Sequence, residues 1–150
     1  MKIAIACDHG GLALKNAVLG YLQAHGYEYV DFGTTSENSC DYPDFALLAA
    51  EAVARGECER GIFVCTTGIG ISIAANKVPG IRCALCTDAT CARLTREHND
   101  ANVLALGGGI VGVNLGLDIV ETFLTTNFSE MEKHQRRIDK IAAIEKKYSK

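Results

Sequence analysis

Apolar residues occur along the chain in two patterns, short continuous runs and longer segments at helical spacing. Continuous runs rich in β-branched residues predict strands that are buried on both faces of a sheet. The five predicted strands are Lys2–Ala6, Tyr27–Asp31, Ile62–Val64, Gly80–Cys86 and Val103–Leu106. Segments with apolar positions three or four residues apart predict helices. The six predicted helices are Leu12–Ala24, Phe45–Arg55, a segment after Gly70 that ends near Asn76, Thr87–Glu97, Val113–Thr125 and Glu130–Tyr148.

Predicted strands and helices alternate throughout, which is typical of a parallel sheet with helices on both faces. The predicted fold class is therefore α/β, a three-layer αβα, Rossmann-like, doubly wound sheet of five parallel strands plus a C-terminal helix. We expect one domain over residues 1–150, because this length suits one core and no linker interrupts the pattern. The helix at residues 130–148 follows the last strand, so it either packs on its own domain or contacts a partner subunit.

The stretch from Gly61 to Asn76 holds the densest group of candidate functional residues. Its apolar run ends at Cys65, and two threonines and the glycines Gly68 and Gly70 precede a predicted helix. Glycine lets a ligand approach the main chain, and a helix N-terminus favours an anion. Open α/β sheets bind ligands at the carboxyl ends of their strands, where Cys65 is expected. The spacing matches neither a dinucleotide motif nor a P-loop, and the residues alone also fit a plain turn with an inert buried cysteine.

Other polar residues follow the predicted strands and helices and could converge with this stretch on one crevice. They are Asp8 and His9, Cys65 and Thr67, Thr87 and Asp88, and the pair His98 and Asn99 after the fourth helix. Plainer interpretations stay open, because Asp8 could be only a helix cap and His98 with Asn99 only a helix C-terminal pair.

Two further groups of residues have both a functional and a plain interpretation. Asp41 and Tyr42 could be a helix cap and a core aromatic, or they could line a ligand site. Lys133 and Arg137 are four residues apart, so they share one face of the last helix. That face is either a solvated basic surface or an anion clamp.

Composition excludes several classes of function. The chain carries a net charge of −3, and its apolar and charged fractions of 48% and 22% are ordinary for a globular protein. The negative charge argues against a nucleic-acid partner, and no apolar stretch is long enough for us to expect a membrane span. The N-terminus enters a strand at once, and seven cysteines are an odd number, so we expect a cytoplasmic protein with free thiols. Cys83 and Cys86 would point to opposite faces of a strand, which argues against a shared metal ion.

Several long motifs resemble the ribose-5-phosphate isomerase B family, whose relatives include allose-6-phosphate and galactose-6-phosphate isomerases. They are CDHGG at 7–11, DYPD at 41–44, CTTGIGISIAANKVPGIR at 65–82, REHNDANVLALG at 96–107 and HQRRIDKIAAIE at 134–145. The resemblance covers essentially the whole chain. It implies an aldose–ketose isomerase that interconverts ribose 5-phosphate and ribulose 5-phosphate through a cis-enediolate. It also implies a sugar-phosphate substrate, no metal or organic cofactor, and a homodimer or dimer of dimers.

The resemblance also implies a role for each matching residue. Cys65 would be the base that moves a proton between C1 and C2 of the sugar, and the Thr67 hydroxyl would steady the enediolate. His98 would help to open the furanose ring, with Asp41 nearby. His9 would hold the phosphate together with Lys133 and Arg137, which would come from the partner subunit. The implied substrate-binding residues are Asp8, His9, Tyr42, Thr66, Gly68, Gly70, Asn99, Lys133 and Arg137.

Three positions depart from the family pattern. Thr66 stands where the family usually has glycine, Gly109 where many members have arginine, and Lys133 where arginine is common, although lysine lacks its bidentate fork. Two alternatives follow, an isomerase of a six-carbon sugar phosphate such as allose 6-phosphate, or a non-catalytic sugar-phosphate-binding module. A cysteine-dependent phosphatase is disfavoured, because no arginine lies in the loop after Cys65.

Overall fold

The computed structural model describes residues 1–150 and contains five strands and six helices. The strands are β1 (Lys2–Cys7), β2 (Glu28–Asp31), β3 (Arg60–Cys65), β4 (Cys83–Leu85) and β5 (Val103–Gly107). The helices are α1 (Leu12–Ala24), α2 (Tyr42–Ala54), α3 (Ile69–Ala75), α4 (Ala89–Asn99), α5 (Val113–Thr125) and α6 (Glu132–Tyr148). A short 3-10 turn, His9–Gly11, connects β1 to α1.

The five strands form one parallel sheet in the order β2-β1-β3-β5-β4. One apolar cluster joins a face of the sheet to α1, α4 and α5, and a second joins the opposite face to α2 and α3. The predicted three-layer αβα fold is therefore confirmed. β1 and β3 are neighbours, yet their following helices lie on opposite faces of the sheet. Such a pair of strands leaves a crevice at its carboxyl ends, which is where open α/β sheets bind ligands.

The largest difference from the predicted elements concerns the fourth strand. It was expected over Gly80–Cys86, but only Cys83–Leu85 pairs with β5. Gly80 has a positive φ of +85, which turns the chain away from the sheet. The backbone N–H of Arg82 then donates to the side chain of Asn102 at 2.8 Å instead of to a neighbouring strand. Side-chain amides thus replace part of the strand pairing.

α3 begins at Ile69 instead of after Gly70, and α4 begins at Ala89 instead of Thr87. Two further helices also begin at other residues than predicted. α2 starts at Tyr42, three residues early, because Pro43 is compatible with the first helical turn. α6 starts at Glu132, two residues late, since Glu130 has a φ of +56 that does not continue a helix. Both differences are local and leave the order of elements unchanged.

A buried cation holds the loop between β2 and α2. The side chain of Lys15 on α1 is 1% exposed, and its ammonium donates to Asp31 at 2.7 Å and to the carbonyl of Thr34 at 2.8 Å. A buried charge is costly unless it is paired and hydrogen-bonded, so removing one partner should be strongly destabilising. The network fixes the start of the loop that leads to Asp41.

All seven cysteines are free. Cys83 packs against the α2 and α3 face of the sheet and Cys86 belongs to the opposite cluster, as the spacing predicted. Burial raises the pKa of Cys83 and raises the pKa of Cys86 to about 12. None of the helices has both the length and the apolar composition required to cross a membrane.

Candidate active site

The Cys65 loop, residues 65–70, joins the end of β3 to the start of α3. Gly68 has a φ of +75, a conformation that favours glycine, and its backbone N–H donates to the Cys65 sulfur at 3.1 Å. Cys65 is 4% exposed and packs at the edge of the second apolar cluster. An N–H directed at a sulfur stabilises negative charge on that sulfur. The loop can therefore hold a thiolate at the carboxyl end of the sheet.

Thr67 follows Cys65 by two residues, and its hydroxyl hydrogen is not used in a hydrogen bond within the protein. Its oxygen accepts a hydrogen bond of 3.1 Å from the backbone N–H of Ile69. Because that oxygen acts as an acceptor, the hydroxyl hydrogen remains available to a ligand. The loop thus offers a sulfur and a hydroxyl donor at one point of the chain.

Three glycines surround the Thr66 side chain or the adjacent backbone. A Cβ at Gly10 would overlap the Thr66 hydroxyl, and a Cβ at Gly109 would lie 3.0 Å from its methyl group. The backbone N–H of Gly109 donates to the Thr66 carbonyl at 2.8 Å, and that of Gly108 donates to the Cys65 carbonyl at 2.8 Å. Two of the departures from the family pattern, Thr66 and Gly109, are therefore in contact. A side chain at position 109 would compete with Thr66 for the same space.

A cleft of about 490 Å³ opens beside the 3-10 turn at the end of β1. Its lining residues come from the end of β1, the loop before α2 and the first turn of α2: Asp8, His9, Cys40, Asp41, Tyr42, Pro43 and Asp44. A Cβ at Gly70 would overlap the ring of Tyr42, so the Cys65 loop packs directly against this cleft. The structure thus brings together nine predicted site residues: Asp8, His9, Asp41, Tyr42, Cys65, Thr66, Thr67, Gly68 and Gly70.

Hydrogen bonds within the protein determine which polar side chains of the cleft remain available to bind a ligand. Asp8 is 5% exposed, and its carboxylate accepts from the N–H of Gly11 at 3.1 Å, so it caps the 3-10 turn. Asp41 occupies the N-cap position of α2 but makes no capping hydrogen bond with its side chain. The backbone N–H of Cys40 donates to Nδ1 of His9 at 3.2 Å. Neutral His9 therefore carries its proton on Nε2, where it can donate to a ligand.

Three further predicted site residues, His98, Lys133 and Arg137, lie around His134, which was not predicted as a site residue; we call these four residues the histidine cluster. The rings of His98 and His134 pack together with their centroids 4.3 Å apart and an angle of 38° between planes. His134 is 5% exposed. Burial is the main cause that lowers its pKa, and the nearby charges of His98, Lys133 and Arg137 lower it further. These four side chains are therefore close neighbours at the junction of α4 and α6.

The histidine cluster lies at the opposite edge of the sheet from Cys65. α4 begins after β4 and has 11 residues, so it returns over about 16 Å toward the amino ends of the strands. The Asn99 carbonyl accepts from Arg82, which directly precedes β4, at 2.9 Å. Cys65 instead pairs in register with Gly107, the last residue of β5. Within one chain the structure does not bring His98, Asn99, Lys133 and Arg137 to the Cys65 loop.

The two groups carry opposite charges. Asp41 and Asp44 line the cleft with exposed carboxylates, and neither takes part in an ion pair. Lys133 and Arg137 are exposed and likewise form no ion pair, whereas their neighbour Arg136 pairs with Glu132 at 3.3 Å. The histidine cluster therefore presents free cations to solvent.

A larger cavity, about 810 Å³, lies between β4 and the second half of α6. It is lined partly by apolar side chains of Ile81, Ile141, Ile144 and Tyr148. It lacks Cys65 and every other residue of the Cys65 loop. We place the candidate site at the smaller cleft, because the Cys65 loop packs against its Tyr42 wall through Gly70.

Comparison with known proteins identifies the family. A family model described as Ribose/Galactose Isomerase matches residues 3–141. The chain belongs to this family. Ribose-5-phosphate isomerase B of Escherichia coli (strain K12) is 47% identical over 146 residues, which cover 97% of both chains.

Solved structures of the family have the same fold. Clostridium thermocellum ribose-5-phosphate isomerase B matches with a TM-score of 0.97 at 58% identity, covering 99% of this chain and 100% of that chain. Mycoplasma genitalium ribose-5-phosphate isomerase B with bound ribulose-5-phosphate matches with a TM-score of 0.92 at 42% identity, covering 97% and 96%. The predicted family, fold and isomerase class are thereby confirmed.

Sequence reasoning missed the residues that support the predicted site residues. Cys40 was treated only as a free thiol, yet its backbone fixes the tautomer of His9. Lys15 was not singled out, although it lies three and seven residues before the buried Val18 and Leu22. A lysine at an apolar helical position is a signal that could have identified it. Ser129 gave no signal, because its backbone hydrogen bond to Glu97 depends on how the segment before α6 packs on α4.

Proposed function

We propose that this protein interconverts ribose 5-phosphate and ribulose 5-phosphate through a cis-enediolate. The observation that carries the proposal is the Cys65 sulfur, held by the Gly68 N–H at 3.1 Å at the carboxyl end of β3. Isomerisation requires a base next to a carbonyl and donors directed at the oxygen that becomes negative. The Cys65 loop supplies a base and donors of this kind.

The chemical step moves one proton between adjacent carbons. The Cys65 thiolate removes the proton from C2 of the open-chain aldose, and the electrons of that C–H bond form the enediolate. The Thr67 hydroxyl and main-chain N–H groups stabilise the enediolate oxygens. A proton passes from O2 to O1 of the enediolate, and Cys65 returns the carbon-bound proton to C1, which leaves a carbonyl at C2 and a hydroxyl at C1 and regenerates the thiolate.

A second copy of the chain completes the site in this proposal. The histidine cluster lies at the opposite edge from the Cys65 loop, so its residues reach a bound sugar only from a partner subunit. Opposite charges support this arrangement, because unpaired Lys133 and Arg137 would face a cleft that contains Asp41 and Asp44. The phosphate would lie between the partner's cations and His9. We accordingly propose a homodimer, with dimers of dimers equally compatible.

Ring opening is the proposed role of His98, with Asp41 nearby. Ribose 5-phosphate is mainly a furanose, which has no free carbonyl. Opening removes the proton from the anomeric hydroxyl, breaks the bond between C1 and the ring oxygen, and protonates that oxygen. An imidazole can accept the first proton and deliver the second.

The test is incubation of the purified protein with ribose 5-phosphate, followed by quantification of ribulose 5-phosphate. In deuterium oxide, ribulose 5-phosphate should also exchange one hydrogen at C1 for solvent deuterium. Tight binding of the sugar phosphate by calorimetry, with neither turnover nor exchange, would favour a non-catalytic binding module instead.

A six-carbon sugar phosphate such as allose 6-phosphate is the second candidate substrate. The contact between Thr66 and Gly109 supports this second candidate substrate. Both positions depart from the family pattern, and together they change the shape of the wall beside Cys65. Values of kcat/KM for five- and six-carbon aldose phosphates decide between the two substrates. A Thr66→Gly variant that changes this ratio would show that the contact influences substrate choice.

A further inference from the structure

The contact between His98 and His134 joins a half-buried ring to a buried one. His98 lies in the last turn of α4 and is half-buried, whereas His134 lies in the first turn of α6 and is almost fully buried. The centroids of the two rings are 4.3 Å apart. His134 therefore covers one side of the His98 ring and leaves the rest of that ring accessible.

The position of His134 is itself fixed by hydrogen bonds. The Ser129 hydroxyl and Nδ1 of His134 share a hydrogen bond of 2.9 Å, and the backbone N–H of Ser129 donates to the Glu97 carbonyl at 3.2 Å. Glu97 directly precedes His98 in the chain. The segment before α6 is thus tied to the turn of α4 that carries His98.

The charges around His134 favour its neutral form. Burial lowers its pKa most, and the cations Lys133 and Arg137 and the ring of His98 lower it further, while the Glu97 carbonyl acts in the opposite direction. A neutral aromatic ring can pack closely against His98 whether or not His98 carries a proton. Two charged imidazoles at this separation would repel each other.

We propose that His134 is a positioning residue for His98, fixing the orientation of the imidazole that opens the sugar ring, and that Ser129 fixes His134. This inference rests on the proposed function, because it assigns His134 to the ring-opening step alone. General acid–base catalysis depends on geometry, and a misplacement of about 1 Å can cost about 100-fold in rate. His134 itself does not touch the substrate in this proposal.

The two sugar phosphates allow ring opening to be separated from proton transfer. Ribose 5-phosphate must open before C2 can lose its proton. Ribulose 5-phosphate has its carbonyl at C2 and a phosphorylated O5, so it has no hydroxyl that could close a five- or six-membered ring. Exchange of its C1 hydrogen with deuterium oxide therefore reports proton transfer by Cys65 without any ring opening.

The experiment measures both reactions for wild type, His134→Ala, His134→Phe and Ser129→Ala. We expect His134→Ala to lower turnover of ribose 5-phosphate by about 10- to 100-fold while C1 exchange of ribulose 5-phosphate stays within about twofold of wild type. His134→Phe should regain part of the turnover, because it restores an aromatic surface against His98. Ser129→Ala should lower turnover less than His134→Ala.

Three outcomes separate the two proposals. Wild type that exchanges no C1 hydrogen of ribulose 5-phosphate would contradict the proposed function itself. Wild type that exchanges, with His134 variants that lose exchange and turnover equally, would contradict the positioning role and indicate a general structural role. Unchanged turnover in folded His134→Ala would contradict it as well. If His134→Ala does not fold, as judged by circular dichroism, His134→Phe and Ser129→Ala decide between the same outcomes.

Discussion

The Cys65 loop and the histidine cluster differ in how the chain builds them. Main-chain hydrogen bonds and close glycine contacts form the loop, as when Gly68 donates to the Cys65 sulfur. Side-chain packing between two helices forms the histidine cluster, in which the rings of His98 and His134 are in contact. The loop depends mainly on residues that are neighbours in the chain or on adjacent strands. The cluster depends on residues more than thirty positions apart.

The two regions also differ in what each can do chemically. The Cys65 loop and cleft contain a sulfur, hydroxyl and N–H donors, and carboxylates, but only His9 as a candidate phosphate ligand. The histidine cluster contains free cations and an imidazole but no base beside an oxyanion site. In the proposed mechanism, neither region alone would both bind a sugar phosphate and isomerise it. Because the proposed phosphate-binding residues and the proposed base lie far apart within one chain, we propose that one site is built from two copies of the chain.

The largest expected effect is loss of the base. Cys65→Ala should lower turnover by about 10²- to 10⁴-fold, because a positioned general base contributes about that much. Cys58→Ala is the matched control, since Cys58 is buried in the same apolar cluster and burial raises its pKa. Each variant should lose about 1 kcal/mol of unfolding free energy, measured from urea midpoints. Full activity in folded Cys65→Ala would rule out the assigned base.

Subunit complementation tests whether the two regions act from different chains. Cys65→Ala and His98→Ala should each be nearly inactive on ribose 5-phosphate. When the two variants are mixed, unfolded and refolded together, half of the dimers are mixed, and each mixed dimer has one intact site. Activity should then recover to about a quarter of wild type for a two-fold symmetric dimer. Absence of recovery, with mixed dimers detected by mass spectrometry, would place both residues in a site of one chain.

Removing the cations should weaken binding more than catalysis. Lys133→Ala and Arg137→Ala should each raise KM for ribose 5-phosphate by about 10- to 100-fold, because a hydrogen bond to a charged group contributes about 1.5–3 kcal/mol. The control is Lys146→Ala in the last turn of α6, outside the cluster. A fall in kcat at unchanged KM would contradict a role in holding the phosphate.

The smallest expected effect concerns stability in acid. The pKa of His134 is lowered in the folded protein, chiefly by burial, so the unfolded chain binds this proton more readily. The free energy of unfolding should therefore fall as pH drops below about 6.5, the ordinary value for histidine. His134→Phe should show a smaller fall between pH 7.5 and pH 5.5 in urea midpoints. An equal fall in both proteins would show that His134 does not contribute.

Most of the fold could be predicted from local patterns. The five strands and the alternation of helices depend on apolar periodicity and turn residues near each element. The length of β4 could not be predicted, because Asn102 satisfies the Arg82 backbone from twenty positions away. Asp8 and His9 were found for a related reason, because they directly follow β1, whereas Asp41 and Tyr42 lie at the start of α2.

The sequence by itself determined the layered α/β architecture, the Cys65 loop and the family, since each depends on residues in short, continuous motifs. Only the tertiary structure decided that His98 and Asn99 lie at the opposite edge from Cys65, that Lys15 is buried as an ion pair, and that Thr66 contacts Gly109. These facts depend on the direction of α4, on burial and on close contacts between distant segments. A linear pattern encodes which residues are apolar, but distances between segments follow only from how the layers pack.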